Sequence, residues 1–178
     1  MDTRTVLSRS TSPPAAPHYD DQKEQRRSMR NLFDATAADD VKERLGRLRP
    51  DSQRQWGKMN PAQAVAHCSA GLEMALGDIK PARALMGRLI GRVIKRFVVS
   101  SAQPMRPNSA TADELVVDGV RHLEKERVRL SGLIDRFRAG GEGSCTSHPH
   151  PFFGSLTPQE WAVLMYKHLD HHLRQFGE

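Results

Sequence analysis

The segment Tyr166-Lys167-His168-Leu169-Asp170-His171-His172-Leu173-Arg174-Gln175-Phe176 decides how the chain is read. With Trp161 and Met165 upstream, its residues recur three and four apart along one helical stripe, flanked by Leu169 and Phe176. Residues four apart on an α-helix sit one above the other, so His168 and His172 share the inward face. Two imidazoles on a buried line need a shared proton, a hydrogen-bond partner or a metal ion. Borderline-soft divalent ions, zinc and nickel foremost, favour neutral imidazole. A solvated helical face with incidental histidines is the competing reading, and spacing alone leaves both open. Asp170 and His171 are rotated off the His168–His172 line, and neither is marked out as a general base.

A third histidine, His67, sits in a second helical pattern, Pro61-Ala62-Gln63-Ala64-Val65-Ala66-His67-Cys68-Ser69-Ala70. Gln63, Ala64, Ala70, Gly71 and Met74 share its face. Small side chains there either leave room beside a metal or serve tight helix packing. Cys68 is turned ~100° from His67 and reads as a core thiol.

Three pieces together carry a resemblance: Trp56-Gly57-Lys58-Met59-Asn60-Pro61-Ala62-Gln63 followed by His67, the loop His148-Pro149-His150-Pro151-Phe152-Phe153-Gly154, and the terminal histidine helix. The chain resembles the DinB/YfiT-like metalloenzyme superfamily, and within it a branch of small bacterial proteins with a domain of unknown function. The similarity runs roughly from Met29 to Phe176. It implies an all-α, DinB-like four-helix bundle, up-down-down-up, with one additional short helix or long connecting loop. It also implies a three-histidine divalent-metal site, with one ligand from the second helix, two from the last, and a glutamine three residues beyond. Those positions are His67, His168 and His172, with Gln175 as the trailing glutamine. The activity implied is hydrolase-like, or that of a transferase or isomerase using a low-molecular-weight thiol such as bacillithiol, mycothiol or glutathione on a small-molecule substrate, although many members have no known activity. A shared fold does not select between these. Gln175, His150 and Gln63 are candidates for steadying a ligand ring or touching substrate, and the catalytic group is unknown.

Composition bounds the reading. The chain has 178 residues, 38% of them hydrophobic, enough for one domain with a core. The two cysteines, Cys68 and Cys145, form neither a disulfide framework nor a zinc knuckle. With no signal-like N-terminus, a cytoplasmic location is expected. The net charge of +6 and a pI near 9.7 raise nucleic acid and anionic lipid as partners. Acidic residues are interspersed and no basic block alternates with aromatics, so neither partner is expected. Two further readings stay in play: a non-catalytic metal-binding bundle, for example a homodimer, and a basic surface binder whose histidines are incidental.

Residues 1–28 lack an apolar period and read as a disordered tail, with the helical domain at 29–178 and Met29 as an alternative translation start. Helices are predicted at 36–49, capped by Thr36; at 60–77, capped by Asn60; at 81–99; at 111–138, opened by Thr111-Ala112-Asp113-Glu114; and at 157–175, capped by Thr157. In the third, Leu85, Met86, Leu89, Ile90, Val93, Ile94 and Phe97 form one face, with Arg83, Arg88, Arg92, Lys95 and Arg96 on the other sides. Such a basic amphipathic helix can lie on a membrane, but a bundle helix with its apolar face buried and its basic face solvated is the preferred reading. Gly87 and Gly91 are spaced like a close-packing pair, but that spacing rule belongs to membrane helices and carries little weight here. Leu115, Val116, Val120, Leu123, Val128, Leu130, Leu133, Ile134 and Phe137 are core candidates in the fourth, with His122 at its edge. The long connection to residue 156 is either a functional loop whose His148 and His150 reach the metal or a substrate, or a plug in which Phe152 and Phe153 close the bundle and the histidines flank a turn. The plug is preferred, with His150 the better functional candidate of the two.

Overall fold

A computed structural model describes residues 29–108 and 115–178. The predicted tail, residues 1–28, and the capping sequence Thr111-Ala112-Asp113-Glu114 lie outside the described residues. Within them the protein is all-helical: α1 (Ala35–Arg47), α2 (Pro61–Leu76), α3 (Leu85–Ser100), α4 (Leu123–Gly140) and α5 (Pro158–Arg174), with a 3-10 turn at Gly141–Ser144. Among the described residues no helix is long and apolar enough to cross a membrane.

Local chemistry starts most of these helices. Asn60 and Thr157 each form a full capping box with Gln63 and Glu160, with a proline at the first helical position. α1 differs from expectation. The Asp34 carboxylate accepts the Thr36 N–H at 3.0 Å, so the cap lies two residues ahead of Thr36. α2 ends where Gly77 adopts φ 82°, and its N–H and that of Asp78 fold back onto the carbonyls of Met74 and Glu73.

The apolar faces meet in one core that includes Leu32, Val41, Leu45, Leu72, Ile134, Phe137, Trp161 and Leu169. α1 and α2 each pack against both α4 and α5, while α3 rests chiefly on α5. α2 is buried on nearly every side, including His67 and Cys68. Its Ala- and Gly-rich composition lets neighbouring backbones approach that closely.

Two predicted elements are corrected. The fourth helix begins at Leu123, not near residue 111. Gly119, at φ 80°, turns the chain in a left-handed conformation, and Val116 and Val120 are exposed rather than core. Val128 also faces solvent. Leu115, just ahead of this irregular stretch, stays buried. Its carbonyl is not consumed by a helix, which matters for the site below.

The other correction concerns α3. Its apolar face is exposed, and Gly87, Gly91 and Val99 are the buried residues. The loop containing Phe152 lies against the glycines so closely that a Cβ at Gly87 would sit 2.6 Å from the Phe152 Cα, and one at Gly91 would overlap the Phe152 carbonyl oxygen. Docking through the glycine face turns the opposite stripe outward. The helix is tied down by polar contacts: Lys95 pairs with Glu160 at 3.0 Å, and the Lys167 ammonium donates to the Val98 and Ser101 carbonyls at 2.7 and 2.8 Å.

Gly91→Ala should therefore destabilise the protein by ~1–3 kcal/mol in urea unfolding, because backbone cannot yield as a side-chain tip can. Gly132→Ala, where a Cβ meets nothing within 4 Å on an exposed face of α4, should stabilise by up to ~1 kcal/mol. Equal effects from the two substitutions would refute the packing argument.

Candidate metal centre

α2 and α5 cross so that His67 faces His168 and His172. The three ring centroids stand 4.8, 4.8 and 4.9 Å apart, and the rings meet edge to face. One ligand-capable atom from each lies within 4.8 Å of the other two. His67 is buried and the other two are partly buried. Gly71 makes room for this approach. A Cβ there would come 2.9 Å from the His168 Nδ1 atom, so the small face of α2 accommodates a histidine ring.

Hydrogen bonds orient two of the rings. His67 Nδ1 lies 2.7 Å from the Leu115 carbonyl oxygen. A carbonyl only accepts, so Nδ1 carries the proton and Nε2 presents a lone pair to the cluster. His172 Nδ1 lies 2.9 Å from Gln175 Oε1, while the Gln175 amide nitrogen donates to the Trp56 carbonyl at 2.7 Å. That amide orientation makes Oε1 the acceptor and leaves the His172 Nε2 lone pair free. His168 Nε2 and His67 Nε2 are 2.9 Å apart. One proton shared between them, or one cation, satisfies that contact.

The electrostatics keep the rings neutral. Burial is the main cause in each case: it lowers the pKa of His67, lowers that of His168 well below its ordinary value, and takes His172 down to about 3. For His168 and His172 the neighbouring imidazoles push the same way. Neutral, lone-pair-bearing imidazoles held by outer hydrogen bonds match what a divalent transition metal requires of histidine. The donor set fits such an ion.

The remaining candidates are placed as follows. Gln175 is buried and joins the cluster, and its backbone carbonyl also accepts the Gln55 N–H at 2.8 Å. Gly57, at φ 75°, lies beside it; a Cβ there would stand 2.6 Å from the Gln175 amide nitrogen. The Trp56-Gly57 turn thus holds the glutamine that holds His172. Gln63 is engaged elsewhere, its oxygen accepting the Asn60 N–H and its amide donating to the Gly119 carbonyl. His150 Nδ1 accepts the Phe152 and Phe153 N–H groups at 3.1 and 3.2 Å, and its ring packs on Phe153 and Trp161. Burial, with the charge of Arg83, takes its pKa down to about 4. His148 faces the Pro81 carbonyl and His122 is exposed ahead of α4. His171 is buried outside the three-ring group, 5.4 Å from the Trp56 ring. Asp170 pairs with Arg44 at 2.9 Å. Burial pushes the Cys68 thiol upward, away from the reactive thiolate.

The Leu115 carbonyl is the contributor that sequence reasoning missed. A backbone acceptor leaves no mark in residue identity, and the predicted helix would have hidden it.

Fold and cluster together define an all-helical protein with three histidines converging between two helices. The chain belongs to the family described as protein of unknown function (DUF1569), which it matches over residues 24–178. No curated protein and no solved structure matches it.

Gln175→Leu should weaken divalent metal binding by about 10–100-fold, the usual result of removing the outer partner of a ligating histidine. Gly57→Ala should act in the same direction by displacing the same amide. Competition against a colorimetric chelator measures both. Wild-type affinity in Gln175→Leu would show that Gln175 has no part in the site.

Proposed function

We propose that the protein is a divalent-metal-dependent enzyme, with His67, His168 and His172 as the metal's protein ligands. The helices would follow the DinB-like up-down-down-up bundle, with α1, α2, α4 and α5 around the core and α3 as the additional element. The observation that carries this reading is the convergence of three neutral imidazoles, two of them with outer nitrogens already bonded to acceptors.

Among the described residues the group contains three histidines and no fourth His, Cys, Asp or Glu. Closed structural zinc sites use four protein ligands, and three-ligand sites that keep a position open suit catalysis. A metal there supplies Lewis acidity, which lowers the pKa of a water molecule or thiol placed against it.

The chain's own residues would orient that centre. Leu115 fixes His67, Gln175 fixes His172, and Gly71 admits His168. Asp170 is held by Arg44 and the Cys68 thiol is buried, so neither is offered as base or nucleophile. This favours chemistry in which the nucleophile arrives from outside the chain, as water in a hydrolase-like reaction or as a low-molecular-weight thiol in a transfer reaction. Zinc and nickel suit the imidazole set best.

The test starts with elemental analysis of protein purified without a histidine tag. Metal-loaded wild type and His168→Ala are then assayed on a panel of esters and amides, and on electrophiles offered with bacillithiol, mycothiol or glutathione. Metal-dependent turnover lost in His168→Ala is the expected result. A bound metal without turnover on any of these would make the protein a non-catalytic metal-binding bundle, and no bound metal would remove the reading altogether.

A further inference from the structure

Among the described residues, six of the nine exposed large hydrophobic side chains lie on α3. Leu85 is 78% exposed, Leu89 78%, Phe97 72% and Val93 61%, with Met86 and Ile90 beside them. At ~100° per residue these six positions occupy an arc of roughly 140°, centred roughly 150° from the Gly87–Gly91 pair that docks on the Phe152 loop. The stripe therefore points straight away from the body of the protein. Arg88, Arg92 and Arg96, spaced four apart and exposed, form a row that starts roughly 60° outside the Leu85 edge of the stripe and crosses that edge at Arg96. Leu85–Ser100 contains no Asp or Glu. None of the three arginines forms an ion pair among the described residues, whereas Lys95, on another side of the helix, is committed to Glu160.

We propose that α3 is a membrane-surface helix that lies on an anionic bilayer, with its apolar stripe in the boundary between headgroups and acyl chains and Arg88, Arg92 and Arg96 on lipid phosphates. A large exposed apolar face bordered by uncompensated cations is the pattern of interfacial helices. The helix is held by its glycine face and by Lys95 and Lys167, so the stripe is presented without rearrangement. Charge decides between occupants. In a symmetric dimer through this stripe, each copy would bring the same arginine row to the interface, and α3 supplies no acid to meet it. Residues 1–28, poor in apolar side chains, offer little to cover a stripe of this size. Anionic headgroups supply both the missing charge and an apolar layer.

The experiment is co-sedimentation of the full chain with vesicles rich in phosphatidylglycerol, compared with pure phosphatidylcholine vesicles, and repeated at high salt. Strong binding to the anionic vesicles, weakened by salt and by pure phosphatidylcholine, is expected. Each arginine near the surface contributes roughly five-fold, so the triple change to Gln should weaken binding by about 100-fold. Leu89→Glu with Phe97→Glu should abolish it. All these side chains are exposed, so helical content by circular dichroism should be unchanged in the variants. Failure of the wild type to bind anionic vesicles overturns the proposal. So does a concentration-dependent dimer that Leu89→Glu dissociates while vesicles bind nothing, which would assign the stripe to a second copy of the chain.

Discussion

Alanine at His67, His168 or His172 should each leave the untagged protein without stoichiometric zinc or nickel, while alanine at His171 leaves metal content unchanged. The contrast between His171 and His172 is the most demanding part, because the two are adjacent on α5 and both belong to a histidine-rich segment. A helix turns them ~100° apart. His172 joins His67 and His168 in the three-ring group, whereas His171 is buried outside it, beside Trp56. A non-specific histidine patch would respond in proportion to the number of histidines removed; a centre responds to which ones. The effect extends to stability, because a ligand that binds only the native state adds RT ln(1 + [L]/Kd), about 4 kcal/mol at a thousandfold excess over Kd. Chelation of the wild type should lower its melting temperature, and chelation of His168→Ala should not. Metal content would be read by mass spectrometry and folding by far-UV circular dichroism. If all four variants keep their metal, or if His171→Ala loses it as the others do, the assignment is wrong.

The parts of the site that could be read from the sequence are those that depend on side-chain identity at helical spacing. His168 and His172 share a face because they are four apart. Gln175 lies within reach of His172 because it follows three residues later on the same turn. The Asn60 and Thr157 capping boxes are likewise local, and the structure starts α2 and α5 at the residues that follow them. Bringing His67 to the pair needed the resemblance, since periodicity says nothing about which helices face each other.

The unreadable parts depend on tertiary packing or on backbone. In α3 the apolar period correctly groups Leu85, Leu89, Val93 and Phe97 on one face, but a period cannot say whether that face is covered. Gly87 and Gly91 held the answer, because glycine without a Cβ admits backbone contact that no apolar stripe can match. Around Leu115 a capping-like tetrapeptide and well-spaced valines suggested continuous helix. The described chain from residue 116 instead runs irregularly through Gly119 to α4, and that irregularity leaves the Leu115 carbonyl to fix His67.

Acid should unfold the metal-free protein over a window set by its buried histidines, and His150→Asn should flatten that dependence. His150 has its pKa lowered to about 4 and His172 to about 3, and His67 and His168 are lowered too. In the unfolded chain each would titrate near ~6.5. Below that pH the unfolded state binds protons that the native state refuses, so the native state loses stability as pH falls. The loss begins near pH ~6.5, and for His150 it continues down to pH about 4 and for His172 to about 3. Each group costs at most ~1.4 kcal/mol per pH unit within its window. His150 is the best one to isolate, because its Nδ1 atom does a job that an amide oxygen can do. Asn places an acceptor in nearly the same position for the Phe152 and Phe153 N–H groups, and it does not titrate. Urea unfolding of chelator-treated wild type and His150→Asn, followed from pH 7 to pH 4, measures the difference. The two should have similar stability near neutrality, and the variant should lose up to ~1.4 kcal/mol less per pH unit on acidification. Parallel stability–pH curves would mean that His150 takes up its proton in the folded protein, and the account of a neutral ring locked into the Phe152 turn would fail.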